Sequence, residues 1–411
     1  MHGLYNILIQ VVQWLLPITS FFSSKMKLFV SGRNAVLERL QVLDSDKPIV
    51  WFHAASLGEY EQGVPVMQAI NKEYPNHQLV ISFFSPSGFE IKKDSAYAKT
   101  VVYLPLDTTK NAKNFIAKLN PAIAIFIKYE FWPNYLHELQ KRKIHTLLLS
   151  GVFNRRQLFF KPYGKWMIKS LKAFHHFFVQ DKASEQLIKT LGFDQVTHNG
   201  DTRFDRVVAQ LKMDNALDFM ETFKGDALCV VCGSTWPEDE SVLASYINNN
   251  EGVARFVIAP HQIKEQQIAQ LERNLRVKTL RYSQREGKDI GAYEVLIIDT
   301  IGLLSKIYSY ADLAYVGGAL GHTGLHNILE PATFGIPILS GSHLDRFPEA
   351  QRLRQLAGLY TVVNVSELDH ILNKLLLDEK FRSQTGMIAG HFINSNTGAT
   401  RTVMEYITSI K

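Results

Sequence analysis

The chain has 411 residues, 46% of them hydrophobic and 20% charged, with a net charge of +6 and a pI near 9.0. This balance excludes a disordered or low-complexity protein, and the length exceeds what one hydrophobic core supports, so two domains of ordinary size are expected. The positive excess suits anionic partners, whether nucleic acid, acidic lipid or phosphorylated small molecules, without choosing among them.

Residues 1–24 contain no Asp, Glu, Lys or Arg, and 4–22 are mostly Leu, Ile, Val and aromatic. About 20 such residues suffice to span a bilayer. Asn6, Gln10, Gln13, Pro17, Ser20 and Ser24 recur at helical spacing and draw a polar stripe down one side. We therefore expect residues 1–30 to form a membrane-associated helix, either spanning or lying in the interface with its stripe against the protein body. A helix of a soluble core is the alternative. No basic segment precedes the apolar run, as a cleaved signal peptide requires, and Lys25, Lys27 and Arg33 follow it. That order places the body on the cytoplasmic face of the membrane.

Between 31 and 205, short apolar runs at 49–53, 79–84, 101–104, 123–127, 146–149 and 174–179 alternate with helical patterns. This predicts an α/β domain with a parallel sheet, whose ligands gather beyond the carboxyl ends of the strands. After the first run comes A-A-S-L-G-E, in which Ser56 and Gly58 turn the chain and Glu59 opens a helix. A carboxylate is stabilised at a helix N-terminus and suits accepting a proton from a hydroxyl. Complementing that terminus is its plainer role. After the fourth run, K-Y-E-F-W-P-N brings Lys128 and Glu130 to a second strand end. Glu130 reads either as an organiser of hydrogen bonds or as a surface charge, and two carboxylates at one sheet edge suit acid/base chemistry.

Arg155, Arg156, Lys161, Lys165, Lys169 and Lys172 interleave with Phe159, Phe160, Tyr163 and Trp166. The spacing predicts a basic helical stripe with aromatics that dip into a lipid headgroup layer. An apolar segment on the same chain favours an anionic membrane over nucleic acid. G-D-T-R-F-D then sets Arg203 at the domain boundary, where an interdomain cleft is expected.

A second α/β domain is expected over 206–385, from runs at 228–232, 256–259, 295–298, 313–316, 336–339 and 360–363. Cys229 and Cys232 fall on opposite faces of a strand, so they read as two buried thiols in a reducing compartment. In G-S-T-W-P-E-D-E, Ser234 and Thr235 cap a helix or bind a phosphate, with Glu238 to Glu240 in its first turn. Pro260, His261 and Lys264 leave the next strand, and Ile301, Gly302 and Leu303 form a turn suited to a base edge.

The most informative stretch is L-A-Y-V-G-G-A-L-G-H-T-G-L-H-N-I-L-E-P from Leu313. Gly317, Gly318, Gly321 and Gly324 allow backbone N–H groups to approach a phosphate, and a helix opening near Asn327 directs its positive end to the same place. Asn327 and Glu330 share one face, flanking Ile328 and Leu329, and Glu330 suits the hydroxyl pair of a ribose. Residues 386–411 read as a helix crossing back to the first domain. His322 and His326 are four apart, but Gly324 lies between them and no carboxylate cluster accompanies them, so no metal is expected.

Taken in order, H-A-A-S-L-G-E, Y-E-F-W-P-N, G-D-T-R-F-D, G-S-T-W-P-E-D-E, D-T-I-G and the glycine-rich stretch closely resemble the Kdo transferases. That family adds 3-deoxy-D-manno-octulosonic acid (Kdo) to the lipid A precursor in lipopolysaccharide synthesis. The resemblance implies two Rossmann-like domains facing each other across a cleft, the GT-B arrangement. It implies inverting, metal-independent transfer from CMP-Kdo, without a cofactor, at the cytoplasmic face of the inner membrane. Glu59 then matches the proton acceptor, and Glu130 and Arg203 match residues that support the transition state. Pro260, His261, Ile301 to Leu303 and Asn327 to Glu330 match positions that hold CMP. Many members carry Pro-Arg-His where this chain has Ala259-Pro260-His261, which leaves Lys264 as the available cation. The expected partners are the donor, the lipid acceptor and an anionic membrane surface, not nucleic acid. A GT-B transferase of nucleoside-diphosphate sugars and a non-enzymatic anionic-lipid or nucleic-acid binding protein are the competing readings.

Overall fold

A computed structural model describes residues 1–410 of the chain. It divides into two compact units, the first formed by residues 1–206 together with the segment from Thr397, the second by Val207–Asn396.

The first unit is built on seven parallel strands. They are β1 (Ile49–Ala54), β2 (Gln78–Phe83), β3 (Thr100–Tyr103), β4 (Ile123–Ile127), β5 (His145–Gly151), β6 (His176–Val179) and β7 (Val196–His198). Their order is β3-β2-β1-β4-β5-β6-β7. Apolar runs such as Ile49–Ala54 and Ile123–Ile127 are buried along their whole length, as strands covered by helices on both faces must be. The order reverses between β1 and β4, so a crevice lies beyond those two carboxyl ends.

The second unit repeats the plan with β8 (Cys229–Thr235), β9 (Arg255–Pro260), β10 (Thr279–Arg281), β11 (Val295–Ile297), β12 (Leu313–Val316), β13 (Ile338–Gly341) and β14 (Leu359–Val362). The order is β10-β11-β9-β8-β12-β13-β14, with its reversal between β8 and β12. Cys229 and Cys232 are buried free thiols, and burial pushes Cys229 up to about 12 and Cys232 well above the ordinary range.

The amino-terminal helix, His2–Thr19, lies along the first unit. Its polar stripe is bonded to the body: Tyr5 donates to Asp107 Oδ2 at 2.7 Å, Asn134 donates to Asn6 at 2.8 Å, and Asn111 donates to Gln13 at 2.9 Å. Burial pushes Asp107 up to about 7. The other face, with Leu4, Ile7, Leu8, Trp14, Leu15 and Ile18, is exposed, as are Phe21 and Phe22 just beyond the helix. Among the described residues no helix is long and apolar enough to cross a membrane.

The basic stretch differs from the expected stripe. Two 3-10 turns, Leu158–Phe160 and Pro162–Gly164, precede a helix of only Lys165–Leu171, so Lys161 lies outside it. Lys165, Lys169 and Lys172 are exposed on one side, and Arg155 and Arg156 are exposed in the loop before. Phe159 is buried, and Trp166 stacks on His2 at 5.6 Å between ring centres. Those two rings therefore fasten the unit and its terminal helix, and Tyr163 is the exposed aromatic.

The chain returns to the first unit at Thr397 rather than at 386, because the helix Glu379–Ser395 stays with the second unit. The amides of Gly398 and Thr400 donate to Asp205, each at 2.6 Å. The closing helix, Ala399–Ser409, sets Tyr406 among His145, His176 and Phe178, with its hydroxyl 3.2 Å from His145 Nε2. Burial, reinforced by His175 and His176, pulls His145 down to about 4, and burial lowers His176. His145 is therefore neutral in the folded state at pH 6, and His176 is shifted the same way, whereas an unfolded histidine is half charged near pH 6.5. The unfolded chain thus binds more protons, and stability held above pH 6.5 is lost as the pH falls towards 4. Thermal unfolding at pH 7 and pH 5 checks this: His145→Gln should lose less between the two than the wild-type chain.

Candidate functional site

In the first unit, the helix Leu57–Glu73 starts directly beyond β1, with Ser56 at its N-cap. Glu59 lies in the first turn, partly exposed, and receives a short hydrogen bond from the Ser56 hydroxyl to Oε2. Gly58, between them, is exposed. A carboxylate so placed sits at the positive helix end, with one oxygen oriented and the other open.

Beyond β4, on the other side of the strand-order reversal, Lys128 adopts φ +67° and turns the chain sharply. Glu130 follows, its side chain 11% exposed. Its Oε2 accepts from the Trp132 indole at 2.8 Å and lies 3.3 Å from His53 Nε2. Thus Glu59 and Glu130 leave the two strands that flank the crevice. Arg203 is in the first turn of Thr202–Ala209, where its Nε and Nη2 grip Asp201 Oδ2 at 2.8 Å. Thr202 donates to the carbonyl of Gln62 at 2.6 Å, and Arg206 pairs with Glu61 at 2.9 Å. Arg203's helix is thereby fixed against the helix that carries Glu59.

In the second unit the corresponding crevice lies between the exits of β8 and β12. Ser234 takes φ +55° and Thr235 is wholly buried, donating to the buried Glu240 at 3.0 Å. Thr235 therefore supports the helix Pro237–Asn249 and is closed to a phosphate. Asp239, also fully buried, accepts from Trp236 N–H at 2.9 Å, Gly318 N–H at 2.9 Å and the Tyr315 hydroxyl at 2.8 Å. This one carboxylate ties the glycine turn to the β8 exit.

The glycines have a different use from the expected one. Gly317 N–H donates to Gly233 O, Gly318 N–H to Asp239, and Gly324 N–H to Gly318 O, so these amides are occupied within the chain. Their value is close approach: a Cβ on Gly317 would lie 2.5 Å from Ser234 O, and one on Gly318, at φ +97°, 2.1 Å from Gly324 O. The amides of His322 and Thr323, on the exposed part of the turn, bond to none of the described residues. The helix that follows is the short Leu329–Thr333, opening two residues later than expected. Asn327 caps it through Leu329 N–H at 3.1 Å and donates to Glu330 Oε1 at 3.0 Å, while Ile328 and Leu329 are buried.

Around this turn, Trp236 stacks on His261, and His326 packs against His261 at a tilt of 35°. Ring centres are 4.8 Å apart for Trp236 and His261 and 4.3 Å for His261 and His326. Trp236 donates to His326 Nε2 at 3.1 Å. Burial, with His261 adding to it, pulls His326 down to about 4, and burial lowers His261. Neither ring is a cation at neutral pH, so positive charge at this edge falls to the exposed Lys264. Pro260 ends β9 and is buried, whereas Ile301 projects 90% exposed beside Gly302, at φ +96°, and the partly buried Leu303. Among the described residues no group of three or more His, Cys, Asp or Glu is arranged to hold a metal. Sequence reasoning missed Asp239, Trp236 and His326 as site builders. The acid at the third helical position after Trp236-Pro237 was the available signal.

Removing Asp239 leaves three buried donors unsatisfied. Asp239→Ala should cost about 2–4 kcal/mol of stability, read from the urea unfolding midpoint.

Residues 34–206 match the family model described as 3-deoxy-D-manno-octulosonic-acid transferase (kdotransferase). The 3-deoxy-D-manno-octulosonic acid transferase of Haemophilus influenzae is 27% identical, covering 87% of this chain and 86% of its own. That of Chlamydia trachomatis serovar A is 29% identical over 82% of this chain and 79% of its own. In fold, the chain resembles the UDP-GlcNAc 2-epimerase of Neisseria meningitidis, with a TM-score of 0.63 at 13% identity, covering 88% of this chain and all of that one. Two parallel wound sheets of the GT-B type and relatives from several bacteria give one answer: this chain is a glycosyltransferase similar along most of its length to the Kdo transferases.

Proposed function

We propose that the chain transfers Kdo from CMP-Kdo to a hydroxyl of the membrane-held lipid A precursor, with inversion at the sugar and without a metal. The observation that carries this reading is Glu59: a partly exposed carboxylate at a helix N-terminus beyond β1, in a chain whose relatives are named for Kdo transfer.

In this reading Glu59 takes the proton of the acceptor hydroxyl as its oxygen attacks the anomeric carbon. The bond from that carbon to the CMP phosphate oxygen breaks on the opposite face, and CMP departs with the electron pair. Glu130 and Arg203 face the charge that develops. The second unit holds CMP. Asn327 and Glu330 take the ribose, the Ile301–Leu303 turn takes the base edge, and Lys264 and the outer amides of the glycine turn take the phosphate. His261, neutral and stacked on Trp236, offers a ring face and a hydrogen bond rather than charge.

The acceptor is presented at the cytoplasmic face of the inner membrane. The exposed apolar side of His2–Thr19 supports interfacial seating, with Phe21 and Phe22 beside it. Trp166 stacks on His2 and so places the cations Lys165 and Lys169 at the same end of that helix, beside the loop cations Arg155 and Arg156.

Mass spectrometry of purified lipid acceptor after incubation with CMP-Kdo should show added Kdo. UDP- or ADP-sugars giving the product instead would reject the donor. Glu59→Gln should lower turnover by about 10²-fold or more while CMP binding persists. Unchanged turnover removes Glu59 as base. Activity should be complete in excess chelator, and a strict requirement for divalent ion would refute metal-free transfer. Leu8→Glu with Leu15→Glu keeps the polar stripe, and should abolish flotation with anionic phospholipid vesicles without lowering Tm.

A further inference from the structure

We propose that His53 is a positioning residue for Glu130, fixing one carboxylate oxygen so that the other alone meets the reacting groups. The inference rests on the reading above, in which Glu130 supports transfer.

His53 is the penultimate residue of β1 and is fully buried, an unusual place for an imidazole unless it has work for both nitrogens. On one side Nδ1 lies 3.1 Å from the Ser82 carbonyl and 2.9 Å from the Ser82 hydroxyl on β2. The carbonyl accepts when Nδ1 carries the hydrogen, and the hydroxyl donates when it does not. On the other side Nε2 points towards the β4 exit, where it meets Glu130 Oε2 at 3.3 Å and the Trp132 indole nitrogen at 3.0 Å. The indole N–H, a donor only, is shared between Nε2 and Oε2. With the proton on Nδ1, Nε2 accepts from Trp132 beside the carboxylate. With the proton on Nε2, Nε2–H donates to Oε2 directly. In both tautomers Oε2 is held.

The ring itself cannot drift. Phe126 and Trp132 meet it edge to face, at 5.6 and 6.3 Å between centres, and Trp51 packs at 6.3 Å. Trp132 is in turn wedged by Phe84 at 4.7 Å. Among the described residues Glu130 is the one charged side chain that faces His53; Lys128, two residues before, instead lies over the Tyr129 ring. Glu130 Oε1 bonds to none of the described residues and belongs to a side chain that is 11% exposed. The result is a carboxylate with one oxygen anchored to the sheet and one directed out of it. Misplacing such a group by about 1 Å is enough to cost on the order of 10²-fold in rate.

A double-mutant cycle tests the assignment, with kcat, both KM values and Tm measured for each protein. His53→Gln should lower kcat by roughly 10- to 100-fold with both KM values near wild type. Added to Glu130→Gln it should lower kcat no further, because the two residues act as one. A wild-type kcat in His53→Gln, beside an impaired Glu130→Gln, overturns the positioning role and leaves the proposed reaction standing. So do losses that multiply in the double variant, which mark a merely structural histidine. A wild-type kcat in Glu130→Gln instead removes Glu130 from the reaction, and the positioning role with it. Should His53→Gln fail to fold, Trp132→Phe reads the same clamp, with the same non-additivity expected.

Discussion

Each sheet turns its strand order round once, between β1 and β4 in the first unit and between β8 and β12 in the second. At that place the connections from neighbouring strands diverge to opposite faces, and nothing in the sheet itself fills the space beyond their ends. The constraint is topological, enforced by strands whose residues are buried on both sides and have no alternative register to slip into. Every polar group with a chemical use lies on a segment that leaves one of those strands or packs against such a segment.

The two units treat the same position in opposite ways. Glu59 and Asp239 are each the third residue after the N-cap of the helix that follows the first strand of its own sheet. Glu59 stays partly exposed, with the Ser56 hydroxyl on one oxygen. Asp239 turns inward and is saturated by a tryptophan amide, a glycine amide and a tyrosine hydroxyl. Burial raises its proton affinity, yet the three donors favour the ionised form, and the balance holds a loop in place rather than moving a proton. One side chain is available for chemistry and the other for architecture, though a helix-capping rule reads them alike.

Much of this was legible in the sequence because buried parallel strands are short, dense apolar runs. All twelve expected strands are present, with ends displaced by no more than three residues. The edge strands β7 and β10 escaped because Val196–His198 and Thr279–Arg281 are three residues each and carry one apolar residue apiece, which makes neither an apolar run nor a period. The basic stripe failed for another reason: Pro162 and Gly164 break the segment into 3-10 turns, a local effect that outweighs the spacing of the lysines. The glycine turn was recognised, but which amides it keeps for itself depends on Asp239, seventy-nine residues away in sequence from Gly318. Partnerships at that separation, like that of His53 with Glu130, are set by the sheet and leave no mark on either segment alone.

Cys229 and Cys232 lie on opposite faces of the strand at the heart of the second unit, each sealed from solvent. Their thiolates are strongly disfavoured by burial, so maleimides find no thiolate on the native surface. A single cysteine introduced at an exposed position of either unit would consequently be the sole reactive thiol. Fluorophores or spin labels attached there report distances in the intact, otherwise unaltered chain.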